Sequence, residues 1–190
     1  MRDALASFAA SLERYYEFAL RVICRQRSVE PENFNSTWGF ISKQSERQFG
    51  GFIVAWLLET GQVYTAVSKS KIERMTKLRN EVVHRGKIPT DAECIGYGQY
   101  VLDIAAPLEE VLLSDYTAAY KDECFARADE VAKSSSSPLT ILTIFSVFRV
   151  AMKGDRKLEP ALKRLKDFRR FYRLPTTGDE YTTSQIITHR

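Results

Sequence analysis

The residues best suited to chemistry stand close together near the middle of the chain, where Arg79, Asn80 and His84 share one predicted helix. Histidine changes its charge near neutral pH, so it can take up or give off a proton during a reaction. Arginine offers a rigid fork of donors that matches the oxygens of a phosphate group. Asn80 stands four residues before His84, a spacing at which the amide can orient the imidazole. These residue types favour cleavage of a phosphodiester bond.

The predicted helix separates polar from apolar side chains, because each residue advances about 100° around the axis. One face carries a polar stripe, formed by Glu73, Lys77, Asn80 and His84. Nearly opposite lie the apolar residues Met75, Leu78 and Val82. We expect the apolar face to pack and the stripe to stay open. Arg79 lies at the border between the two faces. Because Arg79 and His84 both lie off the apolar face, replacing either should open no cavity in the core and should cost little stability.

The same spacing also occurs without a catalytic role, in which case His84 is a polar residue near a helix end and Arg79 an ordinary surface charge. Lys77, Arg85 and Lys87 flank the pair and are candidates for binding substrate phosphates. The chain has only two histidines and three widely spaced cysteines, which predicts neither a metal site nor a disulfide framework. We expect no cofactor.

A second basic group lies toward the C-terminal end of the chain. Residues 153–173 hold nine basic and three acidic side chains, a net charge of +6, whereas the whole chain carries +4 and the remainder therefore −2. This asymmetry indicates an appended element that meets an anionic partner, with Lys163, Arg164 and Arg170 as candidate RNA-binding residues. The alternatives are a solvated face, a helix that packs on the rest of the protein, and a helix on a membrane surface.

Helical periodicity extends over most of the chain and predicts an all-α fold. Breaks are predicted at residues 28–37 and at Gly50–Gly51, and Pro107 should kink or divide the last long stretch. The predicted helical stretches of the first 133 residues are 2–26, 36–47, 52–59, 62–85 and 91–133.

Capping signals support the helix that carries Arg79 and His84. Gly86 suits its C-terminal end, and Thr90 with Glu93 has the spacing of a capping box at the start of the next helix. A Ser/Pro stretch is the clearest boundary in the chain and ends the predicted helical domain. The expected division is a helical domain over 1–133, a linker over 134–138, a basic C-terminal extension over 139–174 and a flexible tail over 175–190. Within the extension, 139–152 predicts a strand or a buried helix, and 158–173 predicts an amphipathic helix.

Composition excludes several classes of protein. The chain has 190 residues, of which 44% are hydrophobic and 27% charged, so it is typical of a globular protein rather than a disordered one. Its first residues carry charges that do not suit a signal peptide, and its most apolar stretch is shorter than the roughly 20 residues that span a bilayer. We therefore expect a cytoplasmic protein without a membrane partner.

The pattern Arg79-Asn80-x-x-x-His84 at the end of a helix, followed by Gly86 and a long helix, resembles the HEPN family. Members of that family are all-α bundles of four or five helices with an arginine, a polar residue and, a few positions later, a histidine. The resemblance covers roughly residues 1–130, and its sharpest part is this motif. It implies a metal-independent endoribonuclease of the kind found in toxin–antitoxin, abortive-infection and RNA-processing systems.

The resemblance also implies a role for each residue of the motif. Arg79 would hold the scissile phosphate, Asn80 stands at the polar position, and His84 is the catalytic histidine. One subset, toxins silenced by a nucleotidyltransferase antitoxin, has a tyrosine where this chain has Gly86. We expect a homodimer that cleaves RNA by attack of a 2′-hydroxyl, as a toxin or phage-defence effector with a cognate antitoxin or partner protein. The alternative is a non-catalytic module that binds a nucleotide, RNA or a partner protein.

Overall fold

The computed structural model describes residues 1–134 and 156–171. These residues form helices and no strand, which confirms the all-α class. Residues 1–134 contain six helices rather than four or five, and one more follows among the described residues of the C-terminal extension. In chain order the helices are α1 (Arg2–Gln26), α2 (Pro31–Ile41), α3 (Ser45–Thr60), α4 (Lys69–His84), α5 (Asp91–Asp115), α6 (Thr117–Ser134) and α7 (Leu158–Phe171).

Helix α1 lies at the centre of the bundle, because it contacts α3, α4, α5 and α6. Its buried residues include Leu5, Leu12, Ala19 and Val22, so it is enclosed over nearly its whole length. The prediction of one helix over residues 2–26 is confirmed. Because α1 is enclosed, any charged side chain near its packed faces needs a partner from another helix.

The segment between α1 and α4 differs from the prediction of a loop over 28–37 and two short helices after it. Helix α2 begins at Pro31, whose fixed φ suits the first turn of a helix. Helix α3 runs through Gly50 and Gly51, where the sequence predicts a break. A Cβ atom at Gly51 would lie 2.9 Å from Cδ1 of Ile41, so the glycine allows α2 and α3 to approach closely. Packing between the two helices outweighs the weak helix propensity of glycine.

Helix α4 carries the predicted motif but begins at Lys69 rather than near residue 62. Ser68 caps it by accepting from the backbone N–H of Lys71 at 3.3 Å. Its end agrees with the prediction, since Gly86 has φ +73°, a left-handed conformation that glycine adopts without strain. The motif therefore occupies the last two turns of a helix with defined ends.

Helix α5 begins with the predicted capping box, in which Thr90 and Glu93 exchange hydrogen bonds between side chain and backbone. It continues through Pro107, and the division predicted at this proline occurs instead at Tyr116, before α6. Leu112, beyond the proline, is fully buried. Burial of the second part of α5 thus keeps the helix continuous.

Two buried carboxylates join α1 to α6 through shared arginines. Glu17 on α1 and Glu123 on α6 are 6% and 4% exposed. Arg21 donates to Glu17 at 3.0 Å and Arg25 donates to Glu123 at 2.7 Å, while Arg127 lies within 3.6 Å of one carboxylate and 3.2 Å of the other. A buried carboxylate without such a partner would destabilise the fold by several kcal/mol. These arginines therefore serve the packing of α6 on α1.

Helix α7 packs an apolar side on α5 and leaves Lys163 exposed. Gln99 of α5 fixes its start, accepting from the N–H of Leu158 at 2.9 Å and donating to the carbonyl of Arg156 at 3.0 Å. The structure shows the apolar side of this segment packed on the bundle, and it leaves the basic side chains of Lys163 and Arg164 exposed. The buried contact is formed by Leu102, Ala106, Leu158 and Ala161.

Several sequence-based expectations concern residues outside the described part of the chain. Ser134 is the last residue of α6. The rest of the linker over 135–138, the strand or buried helix over 139–152 and the tail over 175–190 lie outside the described residues. Of the helices that the structure does describe, none combines the length and the apolar character needed to cross a bilayer.

Two glycines of α5 test the contact between α5 and α7. A Cβ atom at Gly98 would lie 2.4 Å from Cδ2 of Leu158 and 2.8 Å from Cζ of Phe8, whereas one at Gly96 would meet nothing within 4 Å. Gly96→Ala should raise the free energy of unfolding by up to about 1 kcal/mol through helix propensity. Gly98→Ala should lower it, because the fully buried Leu158 must shift. Urea unfolding followed by circular dichroism measures both, and equal stabilisation by the two variants would contradict the described packing of α7.

Candidate functional site

Helix α4 brings the two predicted catalytic side chains into contact near its C-terminal end. Nη1 of Arg79 lies 3.3 Å from Nε2 of His84. His84 is exposed, whereas the side chain of Arg79 is 17% exposed. The structure thus places an accessible imidazole beside a guanidinium that is held in the protein. An imidazole and a guanidinium in contact can address a proton and a phosphate oxygen of the same substrate.

Two other helices hold the guanidinium of Arg79. Its Nη2 donates to Oε1 of Glu13 on α1 at 3.1 Å and to Oγ of Ser45 on α3 at 2.5 Å. Ser45 in turn donates to the same oxygen of Glu13. Arg79 is therefore not an ordinary surface charge, because its mostly buried side chain links α4 to α1 and α3. A charge held in this way normally contributes to stability, so the structure predicts a larger cost of replacing Arg79 than the sequence does.

Asn80 has a different partner from the one expected. Its Oδ1 accepts from Nη1 of Arg79 at 2.8 Å, and its Nδ2 lies 3.5 Å from Oε1 of Glu46 on α3. The structure describes no hydrogen bond between Asn80 and His84. Asn80 therefore orients the guanidinium rather than the imidazole, and the same nitrogen of Arg79 faces both side chains.

A groove of about 550 Å³ opens beside these residues, bordered by α1, α3, α4 and α5. His84 is not part of its lining and lies beside it, in contact with Arg79. Most of the polar stripe predicted for α4 therefore faces this groove. Its aromatic wall consists of Tyr16, Phe49, Tyr97 and Tyr100. Its charged rim consists of Glu13, Glu46, Glu73, Glu81, Lys77, Arg79 and Arg85.

The three basic residues predicted to bind phosphate alongside the motif have different surroundings. Lys77 and Arg85 line the groove, are exposed, and form no ion pair with the described residues. Lys87 has its Nζ 2.7 Å from Glu93 and 3.3 Å from Glu81. The hydrogen bond to Glu93, above all, raises the pKa of Lys87. Because carboxylates compensate the charge of Lys87, Lys77 and Arg85 are the better placed to meet a phosphate.

The basic helix α7 lies on the other side of α5 from the groove. Tyr97 and Tyr100 of α5 line the groove, whereas Leu102 and Ala106 contact α7. At about 100° per residue, these two pairs project at least roughly 120° apart around the helix. The structure therefore does not bring Lys163 and Arg164, two of the predicted RNA-binding residues of α7, to the motif of the same chain. The side chain of Arg170, the third, lies outside the described part of the structure.

Sequence reasoning missed the residues that complete the site from other helices. Glu13 and Ser45 hold Arg79, and Tyr97 and Tyr100 form part of the wall. None of them belongs to a local motif, since Glu13 stands 66 residues before Arg79. The one signal was weak: a carboxylate near the packed face of a buried helix needs a partner.

Two of the four carboxylates of the rim are paired with cations. Glu13 pairs with Arg79, and Glu81 pairs with Lys87. Within residues 1–134 and 156–171, no three histidine, cysteine, aspartate or glutamate side chains are arranged to hold a metal ion.

Comparisons with known proteins show no family for this chain. The chain matches no protein-family model, no curated protein and no solved structure. The resemblance to the HEPN family therefore rests on the Arg79–His84 motif and its position at the end of a helix.

The contacts of Arg79 predict that its shape and its charge both stabilise the fold. Arg79→Lys should lower the free energy of unfolding by about 1–3 kcal/mol, because the single nitrogen of an ammonium group cannot occupy both positions from which Nη1 and Nη2 reach their acceptors. Arg27 provides a matched control, since it donates two bonds to Glu59, at 2.8 and 3.0 Å, from a side chain that is 62% exposed. Arg27→Lys should cost less than about 1 kcal/mol. Urea unfolding at neutral pH measures both, and equal losses would contradict the structural role of Arg79.

Proposed function

We propose that this protein is a metal-independent endoribonuclease of the HEPN type that acts as a homodimer. The proposal includes a setting, that of a cytoplasmic toxin or phage-defence effector controlled by a cognate antitoxin or another partner protein. One observation carries it: the exposed imidazole of His84 lies 3.3 Å from the guanidinium of Arg79, at the edge of an aromatic groove. The motif resemblance supplies the reaction class.

Cleavage of RNA without a metal needs the groups that this motif contains. The ribose 2′-oxygen attacks the adjacent phosphorus and loses its proton, the P–O5′ bond breaks, and the leaving 5′-oxygen gains a proton. An imidazole can take the first proton, and a second one can supply the other. A guanidinium beside the phosphate stabilises the charge that develops on its oxygens. The products are a 2′,3′-cyclic phosphate and a 5′-hydroxyl.

The number of histidines supports a dimer as the active form. The chain has two, of which His84 belongs to the motif. Two copies around a twofold axis would supply two Arg–His pairs to one cleft. The surface at the end of α4 is open to a second copy, since His84 and Arg85 are exposed and Ile88 is 81% exposed. This surface combines charged side chains with an apolar one, as interfaces do.

His84→Ala should lower the rate of RNA cleavage by at least about 100-fold, the lower end of the usual contribution of general acid–base catalysis. Its melting temperature should stay close to that of the wild type, because the imidazole is exposed. The assay incubates wild type and variant with total RNA in EDTA, resolves the products on a gel and tests their ends for a 2′,3′-cyclic phosphate.

Two further variants give this assay its controls. Asn80→Ala should have a smaller effect on the rate than His84→Ala, because Asn80 orients Arg79 and does not exchange protons. Lys121→Ala, at an exposed position of α6, should leave the rate unchanged. A folded His84→Ala variant that cuts RNA at the wild-type rate, or cleavage that EDTA abolishes, would overturn the proposal.

The dimer should depend on the surface formed by residues near 77–87. Ile88→Asp should shift the protein from dimer to monomer, because it places a charge beside the proposed interface. Phe125→Asp is the control, since Phe125 is 72% exposed on α6 and away from the motif helix. Light scattering at tens of micromolar measures the mass of each variant. A monomeric wild-type protein under these conditions would contradict the composite site.

A non-catalytic module that binds a nucleotide, RNA or a partner protein is the second candidate. The pairing of Arg79 with Glu13 favours it, because the carboxylate compensates part of the charge that a phosphate would meet. Wild-type protein that binds RNA without cutting it would decide for this candidate.

A further inference from the structure

Three tyrosines of the groove have hydroxyl groups without a protein partner in the part of the chain that the structure describes. Tyr16, Tyr97 and Tyr100 are 3%, 5% and 4% exposed, and all three line the groove. Among the described residues, Oε1 of Gln48 is the one side-chain polar atom that is both fully enclosed and without a hydrogen-bond partner. The three hydroxyls are therefore not enclosed, and the space that their side chains border is the groove.

The remaining tyrosines of the described residues are different, because each donates its hydroxyl to an oxygen of the protein. The donor and acceptor residues are Tyr15 and Glu109, Tyr120 and Glu109, Tyr64 and Ile104, and Tyr116 and Glu59. A buried hydroxyl normally has a partner, since burying it without one destabilises a protein. A groove lined by three tyrosines whose hydroxyl groups lack a protein partner is suited to a ligand with polar edges.

These hydroxyls stay protonated at neutral pH and can donate as well as accept. Burial raises the pKa of Tyr100 to about 12. Burial also raises the pKa of Tyr16 and of Tyr97 above the usual value for tyrosine.

Carboxylates determine which ligand can enter the groove. Glu46 and Glu73 lie on its rim and form no ion pair with the described residues. Their charge disfavours a phosphate inside the groove and favours a ligand that donates N–H groups. Aromatic walls favour a flat ring. Nη1 of Arg79 faces His84 at the edge of the groove, so a phosphate held by Nη1 would place the adjoining nucleobase at the groove.

We propose that the groove binds the nucleobase next to the scissile phosphate and prefers a base with an exocyclic amino group over uracil. Tyr97 and Tyr100 would donate to the ring acceptors of the base, and Glu46 would accept from its amino group. This inference rests on the proposed function, since it names the part of the RNA that the groove reads.

The test uses oligothymidylates that contain a single ribonucleotide, because only the linkage after a 2′-hydroxyl can be cut. One series varies the ribonucleotide among A, C, G and U, and a second keeps rU and varies the following deoxynucleotide among dA, dC, dG and dT. Cleavage rates and binding by fluorescence anisotropy are measured on both series. The base that enters the groove lies on one side of the scissile phosphate. In the series that varies this base, amino-bearing bases should be cut and bound at least about 10-fold better than uracil or thymine.

Three variants assign the preference to the groove. Tyr97→Phe keeps the ring and removes the hydroxyl, so it should weaken binding of the preferred oligonucleotide about 5-fold. Glu46→Gln should reduce the preference over uracil, because an amide can donate as well as accept. Tyr64→Phe is the matched control, since its hydroxyl donates to the carbonyl of Ile104 and does not border the groove, and it should keep the preference. Circular dichroism melting checks that each variant is folded.

The outcomes separate this inference from the proposed function. Cleavage that is equal for all bases in both series overturns the inference and leaves the ribonuclease proposal standing. A base preference in binding without any cleavage supports recognition of a nucleobase by the groove, but it overturns the ribonuclease proposal and with it the placement of that base next to a scissile phosphate. Neither binding nor cleavage in either series overturns both.

Discussion

Helix α1 buries side chains along nearly its whole length, and the other helices of the bundle are arranged around it. Nine of its residues between Leu5 and Ile23 are buried. The helix is contacted by α3, α4, α5 and α6. A helix enclosed on several sides can carry charge only where another element compensates it. Arg79 of α4 pairs with one carboxylate of α1, and Arg127 of α6 lies beside another. The carboxylates of α1 thus help to determine where α4 and α6 lie along it.

This arrangement gives Arg79 two competing tasks. A guanidinium held by Glu13 and Ser45 needs little reorganisation to meet a substrate, which favours stabilisation of a developing charge. The same carboxylate competes with a phosphate for the fork of donors. Nη1, which faces Asn80 and His84, is the part of the fork that does not contact the carboxylate. The balance between the two tasks depends on three helices and not on the motif alone.

Local signals made part of this structure predictable. The apolar period of α1, the left-handed Gly86 and the capping box before α5 each depend on residues within a few positions of one another. The course of α3 through Gly51 was not predictable, because it depends on contact with Ile41 of another helix. The candidate site likewise has a predictable and an unpredictable part. The spacing of Arg79 and His84 along the sequence indicates the motif, whereas the groove tyrosines come close to it only because the helices pack together.

The distance along the chain between the parts of the groove determines when during synthesis it can exist. Glu13 precedes Arg79 by 66 residues, and Tyr100 lies further on. A ribosome adds about 5–20 residues per second, and the N-terminal part emerges first. Part of the apolar surface of helix α1 therefore stays uncovered until α4, α5 and α6 have been synthesised. The groove, and any activity that it has, is complete only after five helices have left the ribosome.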